Sequence, residues 1–294
     1  MALTHDLIHF PDISYRAFQH STDAEALAKL KAVPGLSKLL KELSHNFAER
    51  WYRVAELPRC IEVTSSQYPS LWKQYIRMTE ALSIFPAPRL FIKTFPAINA
   101  FTFGGKEHFI VLYSGLIDLL TEDELLAVIG HELGHIKCQH ITYSSIAQLL
   151  STFGTGLITQ LFPVPGLNLL LSMGTKAKLY DWYRKAELSC DRAALLATQD
   201  EDIVCSMLAK LCGYSKNLKD EINVEAVKDQ AMAFENLNES IPDWVFKAMA
   251  MFDETHPYPS VRVRELSNWS LSQDYFDIFE GRYPEVGVDE LLDN

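Results

Sequence analysis

Two histidines and a glutamate sit close together in the stretch Val128-Ile129-Gly130-His131-Glu132-Leu133-Gly134-His135-Ile136. On a helix, His131 and His135 fall at i and i+4, one turn apart on the same face. Both imidazoles can then turn toward one metal ion. Neutral imidazoles suit Zn²⁺, and Glu132 can reach a metal-bound water, which is where a metallohydrolase keeps its general base. Five residues of this pattern also arise by chance. The competing reading is an amphipathic helix with two incidental histidines, and the surrounding sequence decides between the two.

Upstream, Thr121 is followed three residues later by Glu124, the spacing of a capping box, so a helix should begin here. Leu125, Val128, Ile129 and Ile136 supply an apolar face at helical spacing. The motif therefore falls two to three turns inside a well-started helix. Zinc in a hydrolase needs a third protein ligand and an open position for water. Glu187, in Glu187-x-x-x-Asp191, is the best candidate, with Asp191 one turn further along the same helix. Asp191 there can accept a hydrogen bond from a ligand imidazole and fix its tautomer. The alternative is an ordinary ion-pairing face shared with Arg184, Lys185 and Arg192, and spacing alone leaves both open.

Around these two segments the chain reads as mostly helical. Helices are expected over 21–31, over 36–52 with Leu39, Leu40, Leu43, Phe47 and Trp51 on one side, over 68–82 and over 176–198. Residues 200–250 are mostly helical with one charged face. Three short strands, 89–93, 98–103 and 109–113, precede the histidine helix and predict a small antiparallel sheet. No charged residue occurs from Ile141 to Thr175, and Pro163 and Pro165 interrupt that run. We expect a helical hairpin buried in the protein or at an interface with a second copy. Shallow, peripheral membrane contact is the second reading and a spanning pair the third. Three regions follow: a helical extension over 1–84, a core over 85–265 and an acidic tail over 266–294. The first 20 residues and the tail either lie across the cleft or pack elsewhere.

Composition narrows the class further. Hydrophobic residues make up 48% and charged residues 22% of the 294, ordinary for a globular protein with a sizeable core. A net charge of −11 without a basic run excludes a nucleic-acid surface. The five cysteines form no C-x-x-C pair, and no basic region followed by an apolar run opens the chain. Both features predict a reducing, cytoplasmic setting. Cys138 and Cys190 are expected to be buried and inert, and His140 to lie on a helix surface beyond His135.

Taken together, His131-Glu132-x-x-His135, Glu187-x-x-x-Asp191 and Thr255-His256-Pro257 resemble the HtpX and CAAX-prenyl-protease family of gluzincin metallopeptidases. Ile110-Val111-Leu112-x-x-Gly115-Leu116-Ile117 and Asn99-Ala100-Phe101 are similar too, so the likeness spans roughly residues 85–265. The resemblance implies an α+β, mostly helical zincin-like (gluzincin) fold with a small antiparallel sheet, and zinc-dependent endopeptidase chemistry on a peptide or protein substrate. By position it implies His131, His135 and Glu187 as ligands of one Zn²⁺ per chain, Glu132 as general base and Asp191 behind a ligand. It also implies Asn99, Ala100 and Phe101 at the substrate strand, His256 at the oxyanion and Arg262 at a matching arginine. Well-known members are integral membrane proteins with strongly hydrophobic spans; this chain resembles a soluble, single-domain branch, which argues against prenylated or membrane-embedded substrates. A latent or non-proteolytic zinc-binding scaffold is the competing function. An intact Glu132 favours the enzyme, since a structural zinc site has no use for a base.

Overall fold

The computed structural model describes residues 6–43, 49–105, 107–147, 150, 172–213, 215, 221–233, 259–288 and 290. Along the chain, helices α1 (Ser21–Lys31) and α2 (Leu36–Leu43) precede strand β1 (Cys60–Glu62) and helix α3 (Pro69–Ala81). Strands β2 (Arg89–Lys93), β3 (Ala100–Gly104) and β4 (His108–Tyr113) follow. Helices α4 (Ser114–Leu119), α5 (Glu122–Lys137), α6 (Met173–Thr198), α7 (Glu201–Gly213), α8 (Val224–Ala233), α9 (Pro259–Ser270) and α10 (Gln273–Phe279) complete the chain. This is the mostly helical α+β class that the sequence predicts.

Helix α5 begins with the expected capping box. The Thr121 hydroxyl accepts from the Glu124 backbone N–H, and the Glu124 carboxyl accepts from Thr121 N–H at 2.8 Å. Glu124 also accepts from Ser206 and Lys210, at 2.6 and 2.7 Å, so the start of α5 is fastened to α7. Every residue of α5 from Glu124 to Ile136 is buried. Its tightest neighbour is α6, and two glycines explain why. A Cβ added at Gly130 would sit 2.9 Å from Ala197 Cβ, and one at Gly134 would sit 2.7 Å from Ala193 Cβ. Small residues on both helices thus bring the two backbones together along the line that carries His131, His135 and Glu187.

The sheet departs from the expected antiparallel arrangement. It is mixed and four-stranded, in the order β1-β2-β4-β3. β3 and β4 form an antiparallel hairpin, but β4 slots in beside β2 and runs parallel to it. An alternating apolar pattern announces that a strand exists and says nothing about its neighbours, so this crossover is invisible in the sequence. The short edge strand β1, from a stretch that carried no strand signal, pairs antiparallel with β2. β3 is the opposite edge, and it lies against α5. Its alternation sends Phe101 and Phe103 into an aromatic cluster with Phe91 and Phe109, which leaves Ala100 and Thr102 for the helix side.

The main hydrophobic core draws on α3, α5, α6, α7 and α9, and also on Leu7, Phe10, Ile13 and Phe18 near the start and Ile278 near the end. The described terminal segments meet each other: Ile13 bridges to Glu285, and Ser14 donates to Glu290 at 2.5 Å. A second cluster joins α1 and α2 to Trp182 and Tyr183 of α6 and to Tyr143, Ile146, Ala147 and Leu150. Of the hairpin expected over 141–175, residues 148–149 and 151–171 lie outside the described residues. Among the described residues no helix is long and apolar enough to cross a membrane.

Candidate metal centre

The N-cap at Thr121 sets the phase of α5, and His131 and His135 then face α6 one turn apart. Glu187, two turns before the Gly134 contact with Ala193, points back at them. Its carboxyl oxygens stand 3.4 Å from His131 Nε2 and 3.3 Å from His135 Nε2. Ligand atoms held about 2.0–2.1 Å from one tetrahedral ion lie about 3.3–3.4 Å apart, and each imidazole stands at that distance from one oxygen of the Glu187 carboxylate. The donor set fits as well: two imidazoles and a carboxylate are ligands of that metal in hydrolases. Glu187 is wholly buried.

Behind His131 lies Asp191. His131 Nδ1 donates to Asp191 Oδ1 at 3.0 Å. Arg262 clamps the same carboxylate with two bonds, Nε to Oδ2 at 2.8 Å and Nη2 to Oδ1 at 2.6 Å, and its Nη1 stands 3.5 Å from Glu187. Burial opposes charge on Asp191, but Arg262 and the bond from His131 outweigh it and hold its pKa below the usual range. For His131, burial lowers the pKa, and Glu187 and Asp191 more than reverse that, to about 9. His135 goes the other way: burial lowers its pKa and Glu187 restores only part. Three carboxyl groups, Glu132, Glu187 and Asp191, thus share the site with one guanidinium, an imbalance that a divalent cation corrects.

Glu132 lies 6% exposed on the cleft side. Thr102 of the edge strand donates a short hydrogen bond to Glu132 Oε2 and also approaches its backbone carbonyl. Glu132 is therefore held at the seam between β3 and α5. No signal in the sequence singled Thr102 out. A cavity of about 430 Å³ opens at this seam. Asn99, Ala100, His131, Glu132, Glu187 and Arg262 line it on the polar side, and Leu116, Val128, Met207 and Leu211 on the apolar side. Phe101 does not line it, because the strand turns that ring into the aromatic cluster. None of the described residues of the two terminal segments lines it either. His256 lies outside the described residues, although Pro259, just downstream, forms part of the wall.

Two cysteine expectations and one histidine expectation meet different fates. Cys138 and Cys190 are buried, and burial pushes both thiols well above their ordinary pKa. Cys190 sulfur lies within 4.8 Å of ligand-type atoms of His131 and His135. Cys190 also meets His140 Nδ1 at 3.7 Å, whereas Glu187 faces both Nε2 atoms and lines the cleft. His140 is not on a helix surface. It is completely buried, because α5 ends at Lys137 and Gln139 takes a left-handed conformation that folds the chain back under His135.

Comparison with known proteins points the same way. A sequence profile described as "Peptidase family M48" matches residues 69–270. The chain is 35% identical over 268 residues to "Plastoglobule-localized metallopeptidase 48, chloroplastic" of Arabidopsis thaliana, covering 90% of this chain and 76% of that protein. It is similar to "Protease HtpX homolog 1" of Sulfolobus acidocaldarius, 26% identical over 230 residues, 66% of this chain and 74% of the relative. A "Protease HtpX homolog" of Streptococcus uberis is 29% identical over 136 residues, 46% of this chain and 41% of that one.

Proposed function

Because the chain belongs to peptidase family M48 and is a zinc metallopeptidase, we propose that the seam between α5, α6 and β3 is its catalytic centre. In this reading His131, His135 and Glu187 hold one Zn²⁺ per chain. The observation that carries it is the approach of the Glu187 carboxylate to His131 Nε2 at 3.4 Å and to His135 Nε2 at 3.3 Å, with Glu132 lining the same open cleft.

Zinc, when bound, supplies Lewis-acid chemistry, lowering the pKa of a water and polarising a carbonyl. The residues of this chain do the rest. Glu132 takes one proton from the attacking water as the new C–O bond forms. It then returns that proton to the amide nitrogen as the C–N bond breaks, so that an acid and an amine leave. Thr102 holds one carboxyl oxygen of Glu132 and leaves the other for the water. Asp191 fixes the tautomer of His131, and Arg262 keeps Asp191 charged. His256 donates to the oxyanion; Pro257 restricts its backbone to an extended form, and the cleft wall at Pro259 is three residues away.

Substrate is an extended stretch of peptide or protein that adds a strand to the outer edge of β3. Ala100 and Phe101 contribute main-chain groups, and Asn99, at the mouth of the cavity, its side-chain amide. The catalytic unit is residues 85–265, supported by the profile match and by the likeness of its motifs. Five free cysteines support a reducing compartment such as the cytoplasm. The name of the Arabidopsis relative places that protein at the plastoglobule; for this chain, peripheral contact with a lipid surface or with a second copy falls to residues 141–175.

The test is Glu132→Gln, which preserves size and removes the base. It is expected to keep zinc by elemental analysis and to lose peptide cleavage by about 10²–10⁴-fold. Turnover at the wild-type rate in the zinc-loaded variant would overturn the mechanism. His131→Ala and Glu187→Ala are expected to lose the metal itself.

A further inference from the structure

His135 has a support that no motif announces. Its Nδ1 lies 3.3 Å from His140 Nδ1, and the far nitrogen of that second ring, Nε2, lies 3.2 Å from Asp23 Oδ2. Asp23 belongs to α1, 117 residues away in sequence. It is wholly buried, as is His140. Trp182 Nε1 donates to Asp23 Oδ1 at 3.0 Å, Ser189 Oγ donates to Oδ2 at 2.7 Å, and Gln19 Nε2 donates to Oδ2 at 3.1 Å. Trp182 also packs edge-on against the His140 ring, with centroids 5.4 Å apart.

The proton inventory of this chain has one solution. Every side chain that meets Asp23 is a donor, so His140 Nε2 must carry hydrogen and donate as well. If His135 presents Nε2 to the metal, its Nδ1 carries hydrogen and needs an acceptor. A neutral His140 has one acceptor nitrogen left, Nδ1, and that is the atom His135 faces. The Cys190 thiol, 3.7 Å from the same nitrogen, is the weaker competing donor. We infer that Asp23 and His140 are positioning residues for the metal centre: a relay Asp23–His140–His135 in which the N-terminal helix sets the tautomer and ring direction of one metal-binding imidazole. The inference rests on the proposed ligand role of His135. It gives residues upstream of the family match a part in metal binding, and it supplies for His135 what Asp191 supplies for His131.

The relay separates by its variants. In His140→Asn the side-chain oxygen can sit near the place of Nδ1 and accept from His135, while contact with Asp23 is lost. His140→Leu keeps bulk and removes both bonds. Asp23→Asn keeps shape and places an amide among donors. Zinc dissociation into a chelator, followed by absorbance, is expected to speed up about 10–100-fold in His140→Leu, by the usual size of an outer-shell effect, and by clearly less in His140→Asn. Asp23→Asn should fall between wild type and His140→Leu. In the cobalt-substituted protein, the visible bands should shift in His140→Leu and stay near wild type in His140→Asn. Thermal unfolding of the metal-free proteins gives the structural baseline, and the rate in Asp23→Asn carries the test if His140→Leu does not fold. Wild-type dissociation rates in His140→Leu and Asp23→Asn, with unshifted cobalt bands in His140→Leu, would overturn the relay, as would zinc loss in His140→Asn as fast as in His140→Leu. A wild-type protein that binds no zinc would instead overturn the metal-site reading, so the two failures are distinct.

Discussion

Gly134→Ala isolates the packing that brings the ligands together. A Cβ at this position would stand 2.7 Å from Ala193 Cβ and 2.9 Å from Cys190 Cα. Carbon atoms prefer about 3.5–4.0 Å, so α5 and α6 must part by roughly 1 Å here. Cys190 lies one turn beyond Glu187, and the part of α6 that moves carries the carboxylate. The 3.3–3.4 Å separations from Glu187 to the two histidines would then exceed what one tetrahedral ion spans with bonds within about 0.2 Å of ideal. Folding itself should suffer little. Replacing glycine in a helix gains roughly 1 kcal/mol of propensity, against about 1–3 kcal/mol for overpacking, which leaves a net cost of about 0–2 kcal/mol. Metal affinity is expected to fall by at least about 10-fold, the lower end for a disturbed ligand shell. The assay pairs chemical unfolding of the metal-free protein with zinc competition against a chelator. Gly130→Ala is the comparison. Its contacts are 2.9 Å to Ala197 Cβ, 3.0 Å to Ala194 Cα and 3.2 Å to the flexible end of Met78, so its effect should be smaller. Ala193→Gly in the Gly134→Ala background removes the nearest clash and should recover part of the affinity. Wild-type zinc binding in Gly134→Ala would refute the claim that glycine spacing sets the ligand geometry.

Three further outcomes follow from single contacts. Thr102→Val removes the hydroxyl that steadies Glu132; kcat should drop about 10-fold, the worth of one hydrogen bond to a charged group, while zinc content stays and Thr102→Ser retains most activity. Asp23 is held at a pKa of about 2, since burial raises it but His140, Ser189 and Gln19 lower it by more, from 3.8. The sign is that of a depressed carboxyl: its stabilisation is complete above the unfolded pKa and is lost as pH falls through the folded one. The stability difference between wild type and Asp23→Asn should therefore be flat above about pH 5 and shrink by about 2 kcal/mol toward pH 2 in urea unfolding, and a difference independent of pH would count against it. Met207→Trp should fill the apolar end of the cleft and shift preference beside the scissile bond from large apolar residues to small ones by about 10-fold, measured as kcat/KM on a matched peptide pair; an unchanged ratio would exclude that pocket from recognition.

Much of the fold was legible because its signals are local. Thr121 and Glu124 announce the start of α5, the apolar spacing gives its buried face, and α1, α3 and α6 appear within a few residues of the expected bounds. What depends on chain crossings was not legible. The parallel pairing of β2 with β4 and the addition of β1 are choices among strands that look alike in sequence. The same division holds at the site. His131, Glu132 and His135 are given by one helix, whereas Glu187 lies on another element, and only likeness to a known family lifted it above an ion-pairing residue. His140 was misplaced for a physical reason: helical spacing was carried past Lys137, where Gln139 reverses the backbone. Asp23 looked like an ordinary acid in the first turn of α1, a position that acids favour through the helix dipole, so nothing distinguished it from a solvated residue.

The two histidines share a helix and both face Glu187, yet their Nδ1 atoms rest on different partners and their pKa values move in opposite directions. His131 Nδ1 meets a carboxylate directly, and that carboxylate is clamped by Arg262 from α9. Burial opposes the His131 proton, but Glu187 first and then Asp191 reverse that and raise its pKa to about 9. His135 Nδ1 meets another imidazole, and the carboxylate of Asp23 stands one ring further away. Burial lowers the pKa of His135, Glu187 restores only part, and the charge on His131 lowers it further. Neutral imidazole is the form that binds zinc. His135 is thus ready for the metal as it stands, whereas His131 must release a proton into a site where Glu187 and Asp191 favour keeping it. On the proposed reading, zinc takes the place of that proton beside the same buried carboxyl groups. Arg262 sets the balance: by neutralising Asp191 it limits the hold on the proton while leaving Glu187 facing both ligand nitrogens.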